Sequence, residues 1–385
     1  MPDLSINAVK DQAGVREVIE FPWEVYRGDP YWVPPLISER EAFLDPTRNP
    51  FFHHGRLQLF TARRGGRVVG TIGAFTNDLF NQFHETNVGW FGFFEVLDDH
   101  EAAAELLKAA EAWARAAGHA SILGPAQFST NDEIGLLVEG FDDPPRILMT
   151  YNPRRYAGYL DAAGYVKAMD LWAHTTNLEK FHQSGGVPPK LLRVLDKVQQ
   201  RERFQVHSLD MAKFDHEISR VKKLYNSSWA RNWGFVPMTD PEFDRLGEQM
   251  KSIIDPDLVA IVELDGEMVG FALTLPDLNE PLRLAYPRPG VPEWWTFVKL
   301  IWNWKVRRRV SWMRAFALGV LPEYRGRGVD ALMYMFTMQA GLRKGYRKTE
   351  MSWILENNDM MNRAIRLFGG EIYKIYRVYE KKLRG

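Results

Sequence analysis

The chain is best understood from one stretch of its sequence, Leu318-Gly-Val-Leu-Pro-Glu-Tyr-Arg-Gly-Arg-Gly-Val-Asp-Ala-Leu332. An apolar, strand-like run ends at Pro322, a glycine-rich turn follows, and the residues from Ala331 onward have the pattern of a helix. Glycine lets a ligand approach the backbone closely, and the first amide N–H groups of a helix have no intrahelical partner. The turn therefore predicts a site for a phosphate or pyrophosphate, to which Arg325 and Arg327 add positive charge.

The overall composition narrows the class of protein. A length of 385 residues exceeds the usual size of one hydrophobic core and favours two domains. Lys+Arg and Asp+Glu both number 49, so the chain lacks the field of a nucleic-acid binder, and no nucleic-acid partner is expected. The absence of cysteine excludes disulfides and thiolate metal sites and is typical of a reducing cytoplasm, and the nine histidines show no metal-ligand spacing. We therefore expect a cytoplasmic protein without a metal, a signal peptide or a transmembrane helix.

The same order of elements occurs twice along the chain. A hairpin is followed by a strand, a helix, a short strand, a helix that ends in glycine and an alternating strand. The corresponding segments are 57–63 and 258–263, 68–75 and 268–275, 88–97 and 310–321, 101–117 and 331–344, 121–123 and 349–355, 152–164 and 358–369, and 166–174 and 371–383. Such spacing indicates a duplicated domain. The predicted domains are 1–182 and 191–385, joined by a Gly/Pro-rich linker at 183–190.

This order of elements resembles the GNAT superfamily of acyl-CoA N-acyltransferases, whose cofactor loop reads Arg/Gln-x-x-Gly-x-Gly/Ala after a strand. Arg325 and Gly328 match that loop, and Val320-Leu-Pro322 matches the preceding Val-x-Pro segment, whereas Asp330 stands where Gly or Ala is usual. The resemblance is strong over 206–385 and weaker over 57–175. It implies a mixed α/β fold of two tandem GNAT-like domains, each a mixed, mostly antiparallel sheet flanked by helices.

The resemblance also implies an acyl donor, acyl-CoA or acetyl-CoA, bound by the C-terminal domain. The amides from Arg327 to Ala331 would hold the pyrophosphate, and the backbone of Val320 would pair with the pantetheine arm. The implied donor-binding residues are Leu318, Val320, Arg325, Gly326, Arg327, Gly328, Val329, Asp330, Ala331 and Asn358. One interpretation is that Asp330 caps the helix N-terminus or turns away, since negative charge is favoured at that end of a helix. The alternative is that it weakens CoA binding or favours another acyl donor, such as an acyl carrier protein.

Two other interpretations of the glycine loop remain. The segment Gly326–Ala331 matches the dinucleotide pattern Gly-x-Gly-x-x-Ala, but only about 55 residues follow it, too few for the later strands of a Rossmann half. A purely structural strand–turn–helix connection is the second.

The first copy of the unit lacks the glycine loop. In its place stands Leu97-Asp-Asp-His-Glu-Ala-Ala-Ala104, whose three acids would repel a phosphate. We therefore expect only the second copy to bind the donor.

Acyl transfer by direct attack needs a neutral amine, a polarised thioester carbonyl and a proton for the departing thiolate. The resemblance implies a tyrosine as acid four residues before the glycine that ends the Asn-containing helix, but Ile365 stands there. Glu350 and Glu356, which flank the strand bordering the acceptor pocket, are the candidate bases, and Tyr373 is the remaining candidate acid. Glu356 also suits a helix start, and the tyrosine spacing near 373 also suits alternate packing on a strand.

A long loop in the first copy, Gly124–Pro145, is polar and then apolar. Long loops of this kind are often functional. Ser129, Asn131 and Glu133 are the candidates there for recognition of an amine or hydroxyl group at the interdomain cleft; the alternative is a turn capped by its own side chains.

A second unusual segment, 292–309, combines tryptophans with lysines and arginines. Its composition suits a helix in a membrane interface, with Trp294 and Trp295 against an amine or lipid substrate, and equally a helix packed on the other domain. The chain also resembles a bacterial group of tandem GNAT-like proteins in Tyr31-Trp-Val-Pro-Pro35 and Asn49-Pro-Phe-Phe52. Part of that group N-acylates long-chain amines, including sphingoid bases.

The sequence and its resemblance therefore predict an acyl-CoA-dependent N-acyltransferase that acts on a primary amine. The expected amine is a long-chain or sphingoid-type lipid amine, and peripheral membrane contact is expected. The alternatives are an N-acetyltransferase for a small-molecule or peptide amine, and a non-catalytic acyl-CoA sensor or scaffold.

Overall fold

The computed structural model describes residues 3–183 and 189–383. Its strands follow the predicted hairpins closely. In chain order they are β1 Leu4–Ala8, β2 Gly55–Arg64, β3 Arg67–Asn77, β4 Val88–Val96, β5 Ser121–Gly124, β6 Leu136–Glu139, β7 Val166–Asn177, β8 Gln205–Ser208, β9 Val259–Leu264, β10 Glu267–Pro276, β11 Trp312–Val320, β12 Lys348–Leu355 and β13 Glu371–Lys382.

The helices include the two long ones that the sequence predicts over 101–117 and 331–344. In chain order they are α1 Gln12–Glu20, α2 Pro22–Val25, α3 Ile37–Leu44, α4 Asp78–His84, α5 His100–Ala116, α6 Arg155–Ala162, α7 Leu178–Gln183, α8 Pro189–Glu202, α9 Phe214–Trp229, α10 Asp240–Lys251, α11 Asn279–Ala285, α12 Glu293–Ile301, α13 Val329–Lys344 and α14 Asp359–Leu367. A π-helical turn, Trp302–Val306, continues α12.

The described residues form two compact units. Those of the first unit lie within Met1–Leu171, Pro281–Arg308 and Lys374–Gly385, and those of the second within Trp172–Glu280 and Arg309–Tyr373. The expected domains 1–182 and 191–385 assign 172–182, 281–308 and 374–383 differently, because sequence order does not reveal which unit a segment joins. Most of the expected linker, 184–188, lies outside the described residues, so the domain boundaries stay a prediction.

The sheet of the first unit has the strand order β1-β2-β3-β4-β5-β13, and β6 also pairs with β13. The β4–β5 pair is parallel, whereas β1–β2, β2–β3, β3–β4, β5–β13 and β6–β13 are antiparallel. Helix α5 covers one face, where Leu106 and Ala110 pack with Ile72 and Phe91 in a core without solvent contact. The strong apolar stripe of α5 explains this packing.

The sheet of the second unit has the order β7-β12-β11-β10-β9-β8, and the residues of β7 from Trp172 onward belong to this unit. The β11–β12 pair is parallel, whereas β11–β10, β10–β9 and β9–β8 are antiparallel. Helix α13 shares one core with Met313 and Val320 of β11, and α9 shares a second core with Phe271 of β10. The two cores lie on opposite faces of the sheet.

Equivalent hydrogen bonds occur in both units. The amide of Leu97 donates to the Val69 carbonyl at 3.0 Å, and the amide of Leu321 donates to the Val269 carbonyl, also at 3.0 Å. Each bond joins the end of the strand that precedes the long helix to the neighbouring hairpin strand. This equivalence supports the predicted duplication, although helix α6 begins at Arg155, three residues later than the expected start at Asn152.

Candidate active site

Strands β11 and β12 form a parallel pair only over their first halves. The register runs from Trp312 opposite Lys348 to Ala315 opposite Met351, while both strands continue, to Val320 and Leu355. A bulge begins at the same point, because Thr274 of β10 lies opposite Ala315 and Leu273 lies opposite Ala317. Bulges of this kind bend a strand and are frequent next to active sites. The second halves of β11 and β12 therefore diverge and leave a gap in the sheet.

A cavity of about 140 Å³ occupies this part of the second unit. Its walls come from both diverging strands, from α13 and from the region of α14. The lining side chains are mostly apolar and include Phe316, Leu318, Met333, Met351, Trp353 and Ile365. A largely apolar pocket with few polar groups is typical of a small-molecule site.

The glycine loop lies between β11 and α13. Gly326 and Gly328 have φ angles of +73° and +88°, in the left-handed region that glycine adopts most readily. Gly328 is the N-cap of α13. Its carbonyl accepts a hydrogen bond from the Leu332 amide at 3.1 Å, which closes the first turn of the helix. The amides of the first turn, Val329, Asp330 and Ala331, precede that bond, and no side chain caps the helix N-terminus. The loop thus has the features of an anion cradle.

The two glycines differ in the space around them. A Cβ added at Gly326 would meet no described atom within 4 Å beyond its chain neighbours, so this side of the loop is open to a ligand. A Cβ at Gly328 would lie 2.8 Å from Val198 of α8, so close packing requires glycine there. The residues present therefore fit the pyrophosphate of CoA at Gly326 and the first turn of α13.

Both arginines of the loop already have partners within the second unit. The guanidinium of Arg325 donates to the carbonyls of Ser228 (2.6 Å) and Val320 (3.4 Å). Arg327 forms an ion pair with Glu202 of α8. A direct contact of either arginine with a phosphate stays a prediction, and the backbone amides are the more immediate anion donors.

Asp330 does not cap the helix, so the capping interpretation is wrong. The N-cap is Gly328, and Asp330 lies inside the first turn. Burial, followed by the nearby charge of Asp330, raises the pKa of Tyr334 one turn further along. A carboxylate in a first helical turn is stabilised by the helix dipole without any phosphate.

The other expected donor-binding residues border the gap. Leu318 and Asn358 line the cavity, and the Asn358 side chain caps α14 by accepting from the Met361 amide at 3.2 Å. Because the Leu321 amide points to β10, strand alternation turns the amide of Val320 the other way, toward the gap. The Val320 carbonyl accepts from the Ser228 hydroxyl at 3.2 Å.

The structure brings two of the three candidate catalytic residues together. The Tyr373 hydroxyl donates to the carboxylate of Glu350, which is fully buried. The Ser352 hydroxyl donates to the other oxygen of Glu350 at 2.6 Å and accepts from Nε of Arg314 at 2.9 Å. Arg314 is itself buried, with Nε 3.7 Å from the Glu350 carboxylate. We call these four residues the Glu350 cluster.

The Glu350 cluster adjoins the apolar cavity, because Ser352 belongs to the cluster and also lines the cavity. Arg314 and Glu350 are register partners, and their neighbours Met313 and Met351 line the cavity beside α13. Since successive strand residues point to opposite faces, the gap between the strands connects the two sides. A donor on one side and an amine on the other would meet at this gap.

Sequence reasoning missed Arg314 and Ser352. The sequence does contain one indication of this cluster, which is the arginine within the apolar strand sequence Trp312-Met-Arg-Ala-Phe316. A buried arginine needs an acidic partner, so its position predicts a buried ion pair. Glu356 lies just after β12 and is partly exposed, and its carbonyl accepts from the Asn362 side chain at 3.3 Å. Ile365, in the position expected for a tyrosine, lines the cavity.

In the first unit the equivalent gap is filled by the protein itself. The Ala126 amide donates to the Phe91 carbonyl at 2.9 Å, and a Cβ at Gly92 would lie 1.7 Å from the Ala126 carbonyl oxygen. The ring of Phe128 is buried, stacked 4.1 Å from that of Phe51. This packing leaves no room for a pantetheine arm between β4 and β5.

Backbone and acidic groups of the first unit are also engaged. The Val96 amide, equivalent to that of Val320, donates to the Tyr156 hydroxyl at 2.6 Å. Asp99 caps α5 and accepts from Arg64 at 2.9 Å. These contacts support the prediction that the first copy does not bind the donor.

The three polar residues proposed for acceptor binding lie in a hydrogen-bonded loop. Ser129 donates to Asp132 at 2.9 Å and accepts from the Asn131 amide at 3.1 Å, as in a side-chain-capped turn. Glu133 pairs with Arg40 at 2.5 Å. Their role in acceptor binding stays a prediction.

The tryptophan-rich segment presents its apolar side chains to solvent. Trp294 is 65% exposed and Trp295 is 43% exposed. No helix among residues 3–183 and 189–383 is long and apolar enough to cross a membrane. Within the same described ranges no group of three or more His, Cys, Asp or Glu side chains is placed to hold a metal ion.

Comparisons with known proteins extend over the whole chain. A scan against protein-family models finds no match. The chain is 37% identical over 386 residues to the bacterial ceramide synthase of Caulobacter vibrioides, covering 99% of this chain and 98% of that protein. It is 34% identical over 377 residues to protein YghO of Escherichia coli, covering 96% and 93%. A tandem GNAT protein from the clavulanic acid biosynthesis pathway has a similar structure, with a TM-score of 0.55, 14% identity and coverage of 100% and 99%. The expected tandem GNAT fold is confirmed.

Proposed function

Because the chain belongs to the family of the bacterial ceramide synthase of Caulobacter vibrioides and is an acyltransferase, we propose that it acylates a long-chain, sphingoid-type amine. The acyl group would come from acyl-CoA bound in the second unit. The observation that carries this proposal is the gap between β11 and β12, which adjoins a glycine-rich anion cradle and an apolar cavity.

The donor would bind along β11 from the loop to the cavity. The amides at Gly326 and in the first turn of α13 would hold the pyrophosphate, and the Val320 amide would pair with the pantetheine arm. The acyl chain would enter the cavity beneath α13, where methionines and other apolar side chains exclude water. Methionine suits such a site because its flexible thioether adapts to an irregular chain.

The chemistry follows from the Glu350 cluster. The amine nitrogen attacks the thioester carbonyl carbon, the carbon–sulfur bond breaks and the CoA thiolate leaves, while the amine gives up a proton. Tyr373 is the partly exposed member of the cluster and Glu350 the buried one, so the proton reaches Glu350 through the Tyr373 hydroxyl. An amide of β11 at the gap polarises the carbonyl oxygen.

The acceptor class is supported by the exposed apolar surface around α12, which belongs to the first unit. Hydrogen bonds to the first unit hold this segment, from Trp23 to the Pro287 carbonyl at 2.8 Å and from Arg283 to the Pro30 carbonyl at 2.9 Å. Its exposed apolar side chains are Leu284, Tyr286, Trp294, Trp295, Phe297, Val298, Ile301, Trp302 and Val306. A patch of this kind marks a protein or membrane contact.

The charges beside this surface favour a membrane. Lys299 lies 5.6 Å from the ring of Trp295, Lys305 lies 3.6 Å from the ring of Trp304, and Arg307 and Arg308 follow. Tryptophans with adjoining cations suit the interface of an anionic bilayer, from which a lipid amine could be taken. We propose a cytoplasmic enzyme that contacts the membrane peripherally.

The test is amide formation by the purified full-length chain. The protein is incubated with a donor, either long-chain acyl-CoA or acyl carrier protein loaded with the same chain, and with an acceptor, either a sphingoid base in anionic vesicles or a panel of short amines and peptides. Amide and released carrier are measured by mass spectrometry. The proposal requires acylated sphingoid base together with an equal amount of CoA. Acylation confined to short amines would overturn the lipid acceptor, and acyl transfer from acyl carrier protein alone would overturn the donor.

A further inference from the structure

Three threonines line the cavity of the second unit, and the hydroxyl of each is buried without a hydrogen-bond partner among the described residues. Thr274 of β10 is 1% exposed, Thr176 of β7 is 5% exposed and Thr337 of α13 is 7% exposed. In each case the hydroxyl oxygen is buried and bonds to no atom among the described residues. Buried hydroxyls are nearly always hydrogen-bonded, so three in one cavity need an explanation.

The other side chains of the cavity wall are mostly apolar. Met313, Met333, Met338 and Leu178 also line the cavity, and their side chains offer a hydroxyl group at most the weak acceptor of a thioether sulfur. If the cavity bound only a plain hydrocarbon chain, valine could replace each threonine. Valine has the same shape as threonine and carries no penalty for burying a polar group. The three threonines also come from two strands and one helix, so no local backbone requirement selects them together.

The position of these hydroxyls places them beyond the phosphate cradle. Thr274 lies opposite Ala315, the last residue of β11 that pairs with β12 before the gap opens. Thr337 follows the start of α13 by eight residues, about 12 Å along the helix axis. A donor whose pyrophosphate lies at the start of α13 would bring the acyl end of the molecule toward them.

We propose that the cavity binds an acyl chain that carries a hydroxyl group, and that Thr176, Thr274 and Thr337 bind the hydroxyl oxygen. The inference rests on the proposed function, since it concerns the donor of the same reaction. A threonine hydroxyl can both donate to and accept from an alcohol. A pocket that hydrogen-bonds a substrate hydroxyl discriminates strongly against the analogue without it, because its own polar groups are then left unpaired.

The test compares donors of equal chain length that differ only in the hydroxyl. Kinetics of the full-length protein are measured with 3-hydroxyacyl-CoA, 2-hydroxyacyl-CoA and plain acyl-CoA, in the wild type and in Thr176→Val, Thr274→Val, Thr337→Val and the triple variant. We expect the wild type to prefer one hydroxyacyl donor by about tenfold or more in kcat/KM, and the triple variant to lose that preference. Thr86→Val, an exposed site in the first unit, is the matched control and should keep it.

Three results would overturn the inference. These are a wild type that favours plain acyl-CoA, a donor preference that survives in the triple variant, and an equal loss of affinity for CoA without an acyl group, which would assign the hydroxyls to pantetheine. If no amine is acylated with any donor, the proposed function fails, and the dissociation constants of hydroxyacyl-CoA and acyl-CoA then decide the inference by the same ratio. Thermal unfolding of each variant separates misfolding from altered recognition.

Discussion

The Tyr373 hydroxyl donates a hydrogen bond to the Glu350 carboxylate, linking a partly exposed phenol to a fully buried acid. Ser352 and Arg314 hold the far side of that carboxylate. A buried carboxylate with such partners is fixed in position, which is what proton transfer during amine attack requires.

Replacing Tyr373 should slow catalysis more than it affects donor binding. We expect Tyr373→Phe and Glu350→Gln each to lower kcat by about 10²-fold or more, because both interrupt the same proton path. CoA affinity measured by calorimetry should change little. Tyr346→Phe, in the same unit but outside the cluster, serves as control; a Tyr373→Phe enzyme with wild-type kcat would exclude the proposed relay.

The two loop glycines should respond differently to alanine. Gly326→Ala places a Cβ in the open space of the cradle, so CoA affinity should fall about tenfold, while the strained φ costs about 1 kcal/mol of stability. Gly328→Ala meets Val198 as well and should lower the melting temperature further. Unchanged CoA affinity in Gly326→Ala, determined by calorimetry, would argue against a phosphate at this loop.

Removing the charge of Asp330 should strengthen donor binding. Asp330→Asn takes a carboxylate out of the first turn of α13, where it opposes a pyrophosphate, so we expect CoA to bind about threefold to tenfold more tightly. The gain should shrink as ionic strength rises. Weaker binding in the variant would show instead that the carboxylate helps to hold the donor.

The surface around α12 should bind anionic membranes. Trp294→Ala combined with Trp302→Ala removes two side chains that are 65% and 53% exposed, and vesicle co-sedimentation should decrease severalfold. Leu367→Ala, which is 86% exposed in the second unit, is a matched control for an exposed apolar residue. Equal binding to neutral and anionic vesicles, or no loss in the double variant, would contradict the membrane contact.

Stability should depend on pH through Glu95 of the first unit. Burial raises the pKa of Glu95 to about 8, although Tyr156 and Tyr26 donate to it. Between the pKa of the unfolded chain and about 8 the folded protein holds one proton more than the unfolded one. The free energy of unfolding should therefore fall as pH rises, by on the order of 1 kcal/mol per pH unit.

Glu95→Gln resembles the protonated acid and should flatten that dependence, which denaturant unfolding at pH 5 to 8 would measure. A variant whose stability falls with pH as steeply as that of the wild type would show that Glu95 is not the group responsible.

Several parts of the fold were predictable from sequence because they depend on neighbouring residues. The turns at Gly65-Gly66 and Asp265-Gly266 have the positive φ angles that their glycines predict, and they fix the two hairpins. The glycine loop and helix α13 were likewise evident from the spacing of Gly and apolar residues. These signals span fewer than about 20 residues each, within the reach of local backbone preference.

The candidate site was only partly predictable. Glu350 and Tyr373 were identified as separate candidates, whereas their hydrogen bond and the support from Arg314 join residues up to 59 positions apart. The close approach of Ala126 to β4 in the first unit was not expected from the acids near Asp99, because the sequence gives no sign of which distant backbone a loop residue will contact.

A duplicated unit with one glycine loop could be predicted from the sequence, because strand alternation, helix spacing and turn residues are local properties. The GNAT-like fold was implied by the resemblance of the loop and its preceding strand to that superfamily. The folded chain was needed to establish which segments join each unit, where β11 and β12 diverge, and which buried threonine hydroxyls have no partner. Those features depend on contacts between residues far apart in the chain, whose free energy comes from close packing and burial and leaves no periodic signal in the sequence.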